Sequence, residues 1–137
     1  MSLIAICSRW INMLRTRIDP DLAEAHNNLG AAYGELGKHK KAIEASKQTI
    51  RIDPDDAKPH HNLGVAYDES GMYEEAIEAY KQAIRIDPDY ADVHNNLGLA
   101  YVYLNDRDSA LEQYEILKSL DTELANRLFD LINHIKE

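Results

Sequence analysis

Residues 57–90 read AKPHHNLGVAYDESGMYEEAIEAYKQAIRIDPDY, and a shift of 34 residues in either direction lays this stretch almost on itself. Upstream, residues 23–56 read AEAHNNLGAAYGELGKHKKAIEASKQTIRIDPDD; downstream, residues 91–124 read ADVHNNLGLAYVYLNDRDSALEQYEILKSLDTEL. Leu29, Leu63 and Leu97 recur at that step, as do Gly30, Gly64 and Gly98, then Tyr33, Tyr67 and Tyr101, then Ala42, Ala76 and Ala110. Asp19, Asp53, Asp87 and Asp121 recur too, with Pro20, Pro54 and Pro88 following the first three. A fixed period of this length signals a solenoid of stacked supersecondary units.

Each unit reads as two helices. In the middle unit the first is expected from about Asp56 to Ser70 and the second from Tyr73 to Ile86. Gly71 separates them, as a helix-terminating glycine does, and Gly37 takes that place one unit earlier. Asn105 takes it one unit later, and asparagine tolerates a left-handed backbone better than most residues. Proline disfavours the helical conformation in the residue before it, so each Asp-Pro pair ends a second helix. The aspartates that follow, such as Asp55 and Asp56, suit the positive end of the next helix. Gly64 and Ala76 have little or no side chain and are expected to let the two helices cross closely, with Leu63, Tyr67, Ile77 and Tyr80 filling the space around them.

The period and these positions resemble the tetratricopeptide (TPR) repeat, and the resemblance runs across residues 19–124. It implies an all-α fold, a right-handed superhelical solenoid of antiparallel helix pairs, with repeats at 23–56, 57–90 and 91–124. Residues 125–137 continue the phase of a first helix. Leu128 and Leu131 fall where the third repeat has His94 and Leu97, and Ile132 falls at Gly98. No second helix follows, which marks a capping helix that covers the last apolar surface. Its start is expected at Thr122, capping with Glu123 in the first turn.

Residues 1–18 stand outside this frame. Arg17-Ile18-Asp19-Pro20 matches the ends of the first two repeats, but upstream of it the phase is lost. One reading is the degenerate end of a preceding repeat, with Met1-Ser2-Leu3 added in expression. The other is a helix whose apolar residues Ile4, Trp10, Ile11 and Leu14 dock on the array or on a second copy. The apolar run Leu3–Cys7 is too short to span a bilayer and lacks the flanks of a secretory signal.

The chain of 137 residues has a net charge of −9, unevenly spread. Residues 1–18 hold three arginines and no acid, which leaves 12 basic against 24 acidic side chains over residues 19–137, a net of −12. A surface of that sign repels phosphate backbones and anionic lipid heads, so neither nucleic acid nor membrane is the expected partner. Cys7 is the single cysteine; it cannot form an intramolecular disulfide, and it suits a reducing, cytoplasmic setting.

No catalytic set stands out. His26, His60 and His94 are 34 residues apart, on helices expected to pack about 8–10 Å from one another, too far to share a metal with bonds near 2.0–2.1 Å. Half-buried packing is their expected role. His60 and His61 are neighbours on a helix and point apart. Asp53-Pro54-Asp55-Asp56 lacks the glycine and final glutamate of a calcium loop. No phosphate-binding glycine loop or nucleophile–base pair is present. Neither an enzyme nor a cofactor is expected.

The informative series is Asn28, Asn62 and Asn96, each one residue before the repeated leucine. In the TPR family the first helices line the concave face, so the resemblance places these asparagines in a groove. An asparagine amide offers a donor and an acceptor to one peptide unit. A spacing of about 10 Å fits one asparagine per three residues of an extended chain at about 3.3 Å per residue. The series is similar to the asparagine ladder of O-linked N-acetylglucosamine transferase, which holds peptide backbone. By the same register the groove also takes Glu24, Asn27 and Glu35 from the first repeat, Lys58, His61, Asp68 and Glu69 from the second, and Asp92, Asn95 and Tyr103 from the third. Five acids against one lysine point to a neutral or basic partner segment.

Chaperone-adaptor members of the family hold the terminal carboxylates of Hsp70 or Hsp90 with a lysine–asparagine–lysine–arginine clamp. Its positions fall here at Asn27, Ala31, Asn62, Asp92 and Asn96, and only Asn62 keeps the required type. Asp92 would repel a terminal carboxylate, so that ligand class is not expected. The chain therefore reads as a non-catalytic scaffold that binds an extended peptide of a protein partner. The alternatives are a homo-oligomer assembled through residues 1–18, or a TPR segment of a larger protein such as a glycosyltransferase.

Overall fold

In a computed structural model, the backbone is described for residues 2–18 and 20–135, and side chains for residues 2–11 and 22–135. The described residues form eight helices: α1 (Leu3–Ile18), α2 (Pro20–Glu35), α3 (His39–Ile52), α4 (Ala57–Glu69), α5 (Tyr73–Ile86), α6 (Ala91–Tyr103), α7 (Arg107–Leu120) and α8 (Thr122–Ile132). From α2 to α7 they pack in pairs, each pair against the next, as an all-α solenoid. Among the described residues no helix is long and apolar enough to cross a membrane.

The turns inside the pairs are chemically alike. Gly37, Gly71 and Asn105 adopt φ of 70°, 74° and 57°, the left-handed backbone that only glycine and a few short polar residues take at little cost. That conformation turns the chain back so that orphan carbonyls at the helix end are satisfied. Gly71 N–H donates to Asp68 O and Met72 N–H to Tyr67 O, both at 2.9 Å. The same two bonds recur around Gly37 and around Asn105.

The second helices end at Asp53, Asp87 and Asp121, all in extended backbone. Asp56 then caps α4, its carboxylate accepting from Lys58 N–H at 3.0 Å. At α8 the cap is Asp121, which accepts from Leu124 N–H at 3.0 Å; Thr122, expected to cap, is the first helical residue instead. Asp19 lies outside the described residues; α2 starts at Pro20, three residues before the repeat frame. Proline is favoured in the first helical turn because its missing N–H would lack a partner there anyway.

At the close crossing of α4 and α5, Tyr80 is the side chain that lies directly over Gly64. A Cβ on Gly64 would meet the ring of Tyr80, 2.5 Å from Cδ1, so the glycine makes room for that fully buried ring. The position equivalent to Tyr80 is Ser46 in the first repeat, and Gly30 faces its Oγ at a Cβ distance of 3.3 Å. Around Tyr80 lies the central core, with Ala76, Ile77 and Ala83 of α5 against Val93, Leu97 and Ala100 of α6.

A second core joins α7 to α8 through Ala110, Leu117, Ala125, Leu128 and Ile132. Leu128 also covers Gly98, where a Cβ would lie 2.5 Å from its Cδ2. Arg107 of α7 closes the end by donating from Nη1 to Ile132 O at 2.9 Å. Leu131, aligned by phase with the buried Leu97, is 45% exposed, because the buried stripe of α8 runs through positions 125, 128 and 132.

The opposite end is less covered. Leu29 is 44% exposed, whereas its equivalents Leu63 and Leu97 are buried. Ile4, Trp10 and Ile11 of α1 are exposed, so they do not dock on the array as the helix-docking reading expected; the side chain of Leu14 lies outside the described residues.

Candidate functional site

The first helices α2, α4 and α6 lie side by side, and two hydrogen bonds stitch their predicted site residues together. Asn62 donates from Nδ2 to Oδ1 of Asn27 at 2.8 Å. One repeat on, Nδ2 of Asn96 lies 2.9 Å from Nε2 of His61. In both cases the fifth residue of one repeat meets the sixth residue of the next. Each asparagine uses one N–H in this bond and keeps its carbonyl and a second N–H. The bond also fixes which way the amide faces.

His61 is further held by Tyr90, whose hydroxyl lies 3.2 Å from Nδ1 and whose ring packs edge-on with centroids 5.1 Å apart. Burial lowers the pKa of His61, with the Asp92 carboxylate acting in the opposite direction. Asn28, first in the series, is exposed, while Asn27, Asn95 and Asn96 are half-buried. Glu24, Glu35, Glu69 and Asp92 are exposed, as is the lysine of the set, Lys58. Asp68 is half-buried, and burial raises its carboxyl pKa. Its Oδ1 lacks a well-formed hydrogen bond, as does the buried hydroxyl of Tyr80, though the two groups are near enough for the hydroxyl to favour the charged carboxylate. Tyr103 is exposed on one face and stacks on Tyr73 with the other, the ring centroids 5.0 Å apart.

A cleft of about 230 Å³ between α2 and α4 brings Glu35, Asn62 and Glu69 together over Gly30, Gly34 and Val65. None of the other predicted site residues lines it, Asn28 and Asn96 of the asparagine series included. A larger cleft, about 710 Å³, is lined by residues of α3, α4 and α5. Lys47 and Arg51 of α3 and Glu74, Glu75 and Glu78 of α5 line it, over Leu63 and Tyr67. This cleft was not among the sequence expectations. Its signal was available in the charge pattern, basic on the last turns of α3 and acidic on the first turns of α5. Its charges are of both signs, and its amide, Gln82, recurs at Gln48 in the smaller cleft of the first repeat.

Two of the three spaced histidines do more than pack. His94 is buried, its Nε2 2.7 Å from Pro88 O and its Nδ1 2.8 Å from Oε1 of Gln113, so the ring clasps the turn between repeats to α7. His60 makes a longer version of the first contact, 3.4 Å to Pro54 O. His26 is half-buried. Among the described residues no group of three or more histidine, cysteine, aspartate or glutamate side chains is arranged to hold a metal ion.

Tetratricopeptide repeat models match residues 23–56, 46–78 and 91–123, and a TPR repeat model matches residues 69–105. The chain belongs to the tetratricopeptide repeat family. Its helix pairs thus form the right-handed superhelical solenoid of that family. The second TPR domain of Spaghetti (RPAP3), solved bound to the HSP90 peptide SRMEEVD, is 28% identical; the match covers 72% of this chain and 92% of that one, with a TM-score of 0.70. The second TPR domain of human RPAP3, solved in complex with the HSP70 peptide SGPTIEEVD, is 26% identical over 84% of this TPR chain and 96% of the other, at a TM-score of 0.77. MamA is 26% identical over 89% of this chain and 82% of its own, at 0.72. No curated protein matches the TPR chain described here.

Proposed function

We propose that this TPR array is a non-catalytic scaffold that holds an extended peptide segment of a partner protein along α2, α4 and α6. The observation that carries the reading is the pair of cross-repeat bonds at Asn62 and Asn96, which orients two amides and leaves each with a free donor and acceptor. The RPAP3 relatives, solved with peptides, support peptide capture as the use of this fold. Those peptides are acidic at their ends. Here the candidate face carries Glu24, Glu35, Asp68, Glu69 and Asp92 against Lys58, which argues for a neutral or basic segment and against a terminal carboxylate. In this account the array comprises repeats 23–56, 57–90 and 91–124, and α8 is the cap that ends it. The lone exposed thiol of Cys7 fits a reducing setting such as the cytoplasm.

Selection from a random peptide library tests the reading, with an Asn62→Ala/Asn96→Ala variant of unchanged melting beside the wild type. Enrichment of neutral or basic extended peptides by the wild type alone is the expected result. Equal enrichment by both proteins would remove the asparagines from the account.

A second reading, self-assembly through α1, is favoured by the exposure of Leu3, Ile4, Trp10 and Ile11 on a helix that carries three arginines and no acid. Sedimentation of the whole chain beside a variant lacking residues 1–17 decides it. A mass above monomer that vanishes with those residues is its expected signature, and a monomer in both cases contradicts it.

A further inference from the structure

The inference that follows rests on the peptide-binding reading of α2, α4 and α6. We propose that the fifth side chain of each repeat, Asn27 or His61, positions the next repeat's asparagine and so decides which edge of that amide a bound chain meets, and that protonation of His61 reverses the choice at Asn96. The two junctions share a geometry but differ in chemistry. At the first, the acceptor is Oδ1 of Asn27, an amide oxygen that takes up no proton near neutrality. At the second, the acceptor is a ring nitrogen of His61.

A neutral imidazole has one N–H and one lone pair, and its surroundings set which nitrogen carries which. Because Nδ2 of Asn96 donates to Nε2, the hydrogen sits on Nδ1, directed at the Tyr90 hydroxyl, which can accept it. In this state Asn96 keeps its carbonyl and one N–H free, the complement of a peptide unit. A proton added at Nε2 turns that nitrogen into a donor facing another donor across 2.9 Å. The contact is restored by turning the Asn96 amide over, so that Oδ1 accepts from Nε2–H. The carbonyl is then occupied, and the amide shows N–H groups to the groove with no free acceptor for a peptide N–H.

The charged and titratable groups around His61 come from several elements. Asp92 of α6 favours the imidazolium; Tyr90, in the turn before α6, and Tyr80 of α5, its ring 6.1 Å away, are neutral near neutrality. Lys58, the nearest cation in sequence, precedes it by one turn of α4 and is exposed. Burial favours the neutral ring, so the switch operates below the ordinary histidine pKa.

The first experiment needs no ligand. On the uniformly ¹⁵N-labelled whole chain, the imidazole nitrogens of His61 and the side-chain amides of Asn62 and Asn96 are followed from about pH 7.5 to about pH 5.5, the range in which histidine titrates. The proposal expects the Nδ1–H tautomer at the start, and Asn96 amide signals that move with the same midpoint as the His61 ring. Asn62 signals should stay flat. In His61→Asn, which copies the Asn27 junction, the Asn96 signals should stay flat as well. An Nε2–H tautomer at neutral pH, or a titrating ring beside a flat Asn96 amide, would overturn the proposal. The second experiment measures binding of a fluorescein-labelled nonapeptide made of three serine–lysine–glycine units at both pH values. The expected ratio of affinities is about tenfold in the wild type and near one in His61→Asn, whatever that variant's own affinity. Equal ratios in the two proteins would overturn the functional half. Absence of binding at either pH would instead count against the peptide-binding reading itself, while the amide signals still decide whether the switch exists.

Discussion

Asn62 reaches from α4 to α2 and donates to Asn27 across 2.8 Å, tying adjacent repeats together on the face that carries the candidate site. In a solenoid each repeat contacts only its neighbours, so a bond between repeats contributes to the coupling that makes the array unfold as a unit. The bond is part-buried and joins neutral groups, which places its worth at about 0.5–1.5 kcal/mol. A denaturant double-mutant cycle of Asn27→Ala and Asn62→Ala should return a coupling energy in that range. Additive single losses would show that the two amides act independently.

The Gly64–Tyr80 contact gives a sharper prediction. Gly64→Ala drives a methyl into a fully buried ring and should cost about 1–3 kcal/mol, even though alanine is the better helix former. Gly30→Ala faces the small Ser46 at 3.3 Å and should be close to neutral, because the gain in helix propensity of about 1 kcal/mol offsets the tighter contact. Thermal melts of the two variants check both halves. Equal effects at the two glycines would contradict the assigned role of Tyr80.

Asp68 carries a pH signature. Burial raises its folded pKa, so the folded state favours the protonated acid, and the ionised form costs stability at neutral pH. That cost fades as pH falls through the raised folded value, and it is absent below the ordinary carboxylate value of about 3.9. Asp68→Asn should therefore raise the melting temperature at pH 7, by a margin that shrinks as the solution is acidified. A margin independent of pH would assign the gain to packing. His61 contributes with the opposite slope: its lowered pKa gives stability that is complete above about 6.5 and is lost as pH falls below that value.

The acids of the candidate face predict a salt effect. Glu24, Glu35, Glu69 and Asp92 are exposed, and exposed charges are screened over about 8 Å at physiological ionic strength. The affinity of a basic peptide should fall as salt rises from low to high concentration, as read by fluorescence anisotropy. A flat response would discard charge as a source of preference.

Much of this was legible in the chain itself, for physical reasons. Gly37, Gly71 and Asn105 could be read as turns because few residues tolerate a left-handed backbone, and the structure puts all three there. Asp53 and Asp87 could be read as helix ends because proline restricts the residue before it, and both are extended. What the sequence concealed depends on which side chain fills a shared space. Tyr80 could be read as filling the space around Gly64, but the repeat frame cannot say that its ring lies directly over the glycine's Cα. Leu131 falls in phase with the buried Leu97, yet α8 packs through Leu128 and Ile132, in phase with His94 and Gly98, and leaves Leu131 exposed. The asparagine series could be picked out by its period. The Asn27–Asn62 and His61–Asn96 links could not, since they join residues 35 apart and depend on how far adjacent first helices are rotated.

The most direct test of peptide capture follows the side-chain amide signals of Asn62 and Asn96 while a library-enriched peptide is titrated into the ¹⁵N-labelled chain. The account predicts that these two amides shift first and most, together with backbone signals of α2, α4 and α6. Amides that stay still while signals around Lys47, Glu75 and Glu78 move would place the peptide in the α3–α5 cleft and contradict it.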